Sequence, residues 1–149
     1  DKTYSVEDLA KLGVLHYSLN PQTYENDGTL TTIMKDRNYG HQSIVTLNDQ
    51  IPETTYAKFF DEHIHDHEEI RFVLEGYGYF DVRNEREEWV RMMVESGDLI
   101  VLPAGINHRY NIGEAKYSKV MRLFPADIEP VWVAHSRSLP ETLNMKTYV

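Results

Sequence analysis

Three imidazoles and a run of carboxylates crowd the stretch Glu62-His63-Ile64-His65-Asp66-His67-Glu68-Glu69-Ile70-Arg71. Side chains alternate between faces along an extended backbone, so from His63 onward His63, His65, Glu69 and Arg71 share one face, and one cavity wall can carry all four. His67 has the same parity, which leaves it and Glu69 as alternatives for a third ligand. Imidazole nitrogen and carboxylate oxygen suit iron, nickel, manganese, zinc or copper. The chain has no cysteine, so a thiolate zinc cage is excluded, and the donor set points to an open, catalytic metal. The competing reading is that histidines decorate an acidic surface strand. His16, His41 and His135 have no partner pattern and are read that way.

The spacing H-x-H-x3-E in His63, His65 and Glu69, with Gly76 after six intervening residues, resembles the first motif of the cupin barrels. The second appears as Gly97-Asp98-Leu99-Ile100-Val101-Leu102-Pro103-Ala104-Gly105-Ile106-Asn107-His108. The resemblance selects Glu69 over His67 and makes His108 the fourth ligand. Two departures touch no ligand. Ala57 stands where the first motif often has Gly, and Asn111 falls one residue early.

Around these motifs the sequence supplies scaffold. Ser5-Val6-Glu7-Asp8 has the form of a capping box ahead of Leu9 and Leu12, with Gly13 as a stop, so a short helix is expected over 5–12. Leu15, Tyr17 and Leu19 alternate with His16 and Ser18, as in a half-buried strand. Leu30, Ile33, Met34 and Arg37 recur at helical spacing, and Asn38-Tyr39-Gly40 breaks that helix before a strand at Ile44-Val45-Thr46-Leu47. Pro52 opens another helix, whose Tyr56, Phe59 and Phe60 are expected to pack into the core. From Ile70 the period becomes two, with strands expected near 70–75, 78–83, 88–94, 98–102, 107–111 and 116–124. Short strands at regular spacing imply a sandwich or barrel. After Pro125 only Val131-Trp132-Val133 interrupts an irregular tail.

The chain of 149 residues is expected to form a single domain, mainly β, with short N-terminal helices. An α+β scaffold is expected over about 1–62, a metal-binding barrel over about 63–124 and a tail over 125–149. A formal charge of −9, from 24 acidic and 15 basic residues, disfavours nucleic acid and anionic membranes as partners and leaves a small molecule as the expected one. No apolar run reaches spanning length and no signal-peptide core precedes Ser5. The chain starts at Asp1 without Met, so a native N-terminal segment is expected to precede it.

The same motifs, read with their neighbours, go beyond a generic cupin. Glu62-His63-Ile64-His65 leading to Glu69-Ile70-Arg71, then Glu75-Gly76-Tyr77-Gly78-Tyr79-Phe80-Asp81-Val82-Arg83, Pro103-Ala104-Gly105-Ile106-Asn107-His108-Arg109 and Met121-Arg122-Leu123-Phe124, closely resemble the acireductone dioxygenase family. The likeness runs from Ser5 to Trp132 and is closer to the eukaryotic branch. It implies a double-stranded β-helix (jelly-roll barrel) holding one Fe2+ or Ni2+ per chain. It also implies cleavage of 1,2-dihydroxy-3-keto-5-methylthiopentene with O2 in methionine salvage. With iron the implied products are formate and the 2-keto acid precursor of methionine; with nickel they are formate, carbon monoxide and methylthiopropionate. The implied location is the cytoplasm, with the nucleus as a second compartment. Family members carry a further N-terminal segment whose loss would bare a sheet edge.

On this resemblance Arg71 is the residue expected to steady a substrate dianion, with an ion pair to Glu69 as the competing role. Phe72, Tyr110 and Trp132 correspond to aromatic positions near the family's site, and simple packing is the alternative for each. The family commonly reads H-R-F where this chain has His108-Arg109-Tyr110, so a hydroxyl enters the pocket wall. Two other functions fit a metal-bearing cupin: a protein-interaction module in which catalysis is incidental, and a dioxygenase for another substrate.

Overall fold

A computed structural model describes residues 4–127. Val131, Trp132, Val133, His135 and the rest of the expected tail from 128 on lie outside the described residues, whereas Pro125, where the tail is expected to begin, ends a strand. The elements run α1 (Val6–Lys11), β1 (Leu15–Ser18), α2 (Thr29–Asp36), β2 (Tyr39–Leu47), α3 (Glu53–Phe60), β3 (Glu69–Arg83), β4 (Trp89–Glu95), β5 (Asp98–Leu102), β6 (His108–Ile112) and β7 (Ser118–Pro125). The architecture is mainly β and antiparallel, with three short helices on the N-terminal side of the chain. At α1 the capping box is formed in both directions: Ser5 Oγ accepts from the Asp8 amide, and Asp8 accepts from the Ser5 amide.

β3 organises everything else. Its first half pairs with β5 and β7 in a sheet ordered β1-β5-β3-β7-β2, and its second half pairs with β4 and β6. The two strands expected at 70–75 and 78–83 are therefore one strand that passes from sheet to sheet. The transfer happens at a bulge between Val73 and Glu75, followed by Gly76 at φ +75. A Cβ on Gly76 would lie 2.2 Å from the Tyr117 carbonyl oxygen, so only glycine fits this close approach. One extra residue also inverts parity. Before the bulge Val73 faces the barrel interior with Glu69 and Arg71, and after it Phe80 and Val82 do.

Alternation along β3 separates two apolar clusters. Ile70, Phe72 and Leu74 pack with Leu99, Val101, Met121 and Leu123 beneath Leu30 and Ile33 of α2. Val73, Phe80 and Val82 join Val90, Met92, Val94, Ile100 and Leu102 inside the barrel. Strands before residue 62 join the same sheet as those after it: β1 pairs with β5 and β2 pairs with β7. β2 is also longer than its apolar stretch suggested, starting at Tyr39 directly after Asn38, whose φ of +59 supplies the break.

Candidate metal centre

His63, His65, Glu69 and His108 come together at the inner wall of the barrel, with one donor atom from each lying within 4.8 Å of all the others. Glu69 is placed by strand geometry, as the first residue of β3 and opposite Leu102 of β5. His108 opens β6 opposite Val82. The expectation of extended backbone from His63 onward is corrected here: His63 and His65 sit in an irregular segment between α3 and β3. What holds them is the motif loop. His63 and His108 form an isolated antiparallel bridge, each amide donating to the other's carbonyl at 3.0 Å, and the Gly105 amide donates to the His65 carbonyl at 2.9 Å.

Two of the rings are aimed by their other nitrogen. His63 Nδ1 lies 2.7 Å from the Asp61 carbonyl oxygen, and His108 Nδ1 lies 3.0 Å from that of Ile106. Both carbonyls accept, so Nδ1 carries the proton and the Nε2 lone pair is free for the centre. His108 Nε2 is buried and has no hydrogen-bond partner of good geometry, although Glu69 Oε1 is 3.5 Å away. A buried nitrogen left open beside a carboxylate and two more imidazoles is what a metal would satisfy. Burial, reinforced by the neighbouring His108, brings the His63 pKa down to about 4, so its ring is neutral near pH 7. Full burial alone would raise the Glu69 pKa, but Arg71 and the His108 and His65 rings outweigh it and hold the carboxyl well below its ordinary range. His63 thus presents a neutral imidazole and Glu69 a carboxylate, the protonation states that ligation needs.

His67 is not in this group. Its ring stacks on that of His65, 5.6 Å between centroids and 6° between planes, and its Nδ1 turns to the Glu68 carbonyl at 2.9 Å.

The donors open onto a cavity of about 440 Å³. Its walls include Val45, Leu47 and Ile51 from β2 and the following loop, Phe59 from α3, Val120 from β7 and Tyr110 from β6. Arg71 faces it, with one terminal nitrogen 3.3 Å from Glu69 Oε1. Arg122 stands opposite Arg71 in the β3–β7 register and lines the same space. Burial and the adjacent Arg71 charge bring the Arg122 pKa down to about 10, with Glu69 pulling the other way. Among the described residues, Lys58 joins Arg71 and Arg122 as a third cationic side chain on the cavity wall, and Glu69 is the one carboxylate there. A larger, more open groove of about 690 Å³ lies between α2 and β1, but it is lined by Asp27, Asp36, Arg37 and Glu68 and contains no such donor group.

Of the two expected pocket aromatics among the described residues, Tyr110 lines the cavity. Its ring lies 6.3 Å from Phe59 and 5.0 Å from Phe80. The hydroxyl is buried against Gly78, where a Cβ would come within 2.1 Å of it. Ser118 is near enough to lower its pKa, but burial dominates and pushes it up to about 12, and no well-formed hydrogen bond reaches it. Phe72 is corrected: it points to the opposite face of β3, fully buried, with its ring edge-on to Tyr24 at 5.2 Å. Parity already opposed it to Arg71. Trp132 lies outside the described residues. Sequence reasoning missed Arg122 and Phe59, the latter expected in the core. For Arg122 a signal existed, a lone guanidinium amid the apolar residues of Val120–Leu123.

Comparison with known proteins agrees with this geometry. Residues 1–134 match the model described as the ARD/ARD' family. The acireductone dioxygenase of Rattus norvegicus is 47% identical over 140 residues, covering 92% of this chain and 77% of that protein. Acireductone dioxygenase 4 of Arabidopsis thaliana is 45% identical over 148 residues, covering 97% and 78%. Among solved structures, an acireductone dioxygenase from Bacillus anthracis with a cadmium ion in its active centre superposes with a TM-score of 0.73 at 20% identity, covering 85% of this chain and 87% of that one, which establishes the shared fold. A family match over most of the chain, joined to close relatives that the chain largely spans, places this protein in the ARD/ARD' family of acireductone dioxygenases.

Proposed function

We infer that this chain is a metal-dependent oxidoreductase that cleaves acireductone, 1,2-dihydroxy-3-keto-5-methylthiopentene, with O2. The observation that carries the reading is one cavity whose lining joins a three-histidine, one-carboxylate group to cationic and apolar side chains. His63, His65, Glu69 and His108 would hold one Fe2+ or Ni2+. The ion would supply Lewis acidity that favours the deprotonated ene-diol and brings it together with oxygen.

The protein's own groups do the rest. Arg71 and Arg122 offer fixed positive charge where the ene-diolate develops negative charge, and a guanidinium keeps that charge throughout the physiological range. Arg71 also touches Glu69, a contact that supports the expected role of holding that carboxylate beside the role of substrate contact. Val45, Leu47, Ile51, Phe59 and Val120 provide a dry surface for the methylthioalkyl tail. The Glu69 carboxylate stays ionised and the His63 ring stays neutral, so neither competes for the proton leaving the substrate near pH 7.

Anaerobic acireductone mixed with the iron-loaded protein and O2 tests the reading. Loss of the ene-diol absorbance with formate and the 2-keto acid as products is expected; the nickel-loaded protein is expected to release carbon monoxide instead. Stable ene-diol in both forms, with metal bound, would leave the interaction-module or other-substrate readings in its place.

A further inference from the structure

We infer that Glu62 is a positioning residue for the metal centre: it ties the backbone segment that carries His63 to the one that carries His108, from the face of the barrel wall opposite the ligands. The inference rests on the ligand set above and adds a residue outside it.

The geometry is set by alternation. In the paired strands β3 and β6, Phe80 and Val82 point inward with His108 and Tyr110, while Asp81, Arg83, Asn107 and Arg109 belong to the other face. On that other face Glu62 accepts from both sides. Its Oε2 takes a hydrogen bond from Asn107 Nδ2 at 2.5 Å and one from Arg83 Nε at 3.2 Å, and its Oε1 takes one from an Arg83 terminal nitrogen at 3.0 Å. Glu62 immediately precedes His63, and Asn107 immediately precedes His108. The Arg83 amide closes the figure by donating to the Asn107 carbonyl at 3.1 Å.

Arg83 is itself fixed. Its guanidinium lies 3.9 Å from the Trp89 ring, whose centroid is also 4.0 Å from the Arg109 guanidinium, and Arg109 donates to the buried Asp81. The carboxylate therefore bonds to an anchor already immobilised in the sheet. This matters because the His63 segment has no regular strand to hold it. Its backbone is tied by the two hydrogen bonds of the bridge to His108 and, past it, by the Gly105 amide to the His65 carbonyl, and at His63 itself a two-bond bridge can hinge. The side-chain link through Glu62 restrains that hinge, and with it the separation of two imidazoles whose ring centroids stand 4.3 Å apart.

The test uses Co2+ alone as the probe in the full chain, with affinity read by chelator competition and geometry by the visible ligand-field bands. Parent protein that binds no Co2+ would defeat the metal reading itself, so the two failures are separable. Given parent binding, Glu62→Ala and Asn107→Ala are each expected to weaken Co2+ by roughly 10- to 100-fold, the usual effect of losing support behind a ligand. Both should also alter the band shape. The double variant should be little worse than the poorer single one, because both changes cut the same link. Glu62→Gln, which keeps an acceptor for Asn107, is expected to fall between parent and Glu62→Ala. Melting of the metal-free proteins separates general destabilisation, and if Glu62→Ala does not fold, Glu62→Gln and Asn107→Ala decide. Parent-like affinity and bands in the folded variants, whatever their melting temperatures, would overturn the inference.

Discussion

Single side chains at this site are chosen by which nitrogen is occupied. His63 and His108 each spend Nδ1 on a carbonyl two residues back and so turn Nε2 inward, whereas His67 spends Nδ1 on the Glu68 carbonyl and lays its ring over His65. His108→Ala is accordingly expected to lose most bound metal and all turnover, and His67→Ala to keep both nearly intact, as measured by metal content and rate side by side. Equal metal loss would mean that the wrong imidazole has been chosen. Arg71 is a sharper case, because it contacts Glu69 and the cavity at once. Removing a charge partner from a partly dry site costs on the order of 2 to 5 kcal/mol. Arg71→Lys, which keeps the charge and loses the planar fork, should therefore lower kcat/KM steeply while metal content stays near that of the parent. Loss of metal in proportion to activity would assign Arg71 to holding Glu69 alone.

At the scale of elements, the bend in β3 and the polar face behind it do the positioning. Asp81 is buried in that face and is gripped by Arg91 at 2.8 and 3.0 Å and by Arg109 at 2.8 Å. Burial opposes its ionisation, but the two guanidiniums prevail and hold its pKa below 3.8. A carboxyl depressed on folding contributes stability that is present above its unfolded pKa and lost as pH falls through the folded one. Asp81→Asn should thus be destabilised at pH 7 by about 3 kcal/mol, the low end for a broken buried pair because Arg91 is half exposed. The gap between variant and parent should close below about pH 4. Denaturant titrations at pH 7 and pH 3 measure it, and a gap independent of pH would remove Asp81 from the acid response.

The whole molecule is a barrel whose four candidate metal donors come from chain segments far apart in sequence. His63 and His65 precede β3, Glu69 begins it, and His108 arrives only after two further strands. A metal that joins these segments binds the folded chain and not the unfolded one, so it should add about 2.7 kcal/mol at a free concentration of 100 times Kd. For a domain of this size that corresponds to a rise in Tm of roughly 5 to 10 °C, reversed by chelator. In His108→Ala the chelator should leave Tm unmoved. A parent Tm indifferent to metal would argue that the four donors do not bridge the fold.

The sequence alone singled out His63, His65, Glu69 and His108 as a candidate donor group and gave the family resemblance, because motif spacing encodes a register that any cupin-like barrel must reproduce. It also determined α1, through a local capping box, and a strand whose alternation is undisturbed, β4. Only the tertiary structure decided what long-range pairing controls. The parity inversion at Gly76 made one strand of two expected ones, and β2 joined β7 across a gap in sequence that no local pattern reports. Phe72 was sent to the core because its parity opposes Glu69, while Phe59 and Arg122 reached the cavity through packing and cross-strand register. Local periodicity records which residues share a face; which face becomes the inside of the barrel is settled only when the strands close around it.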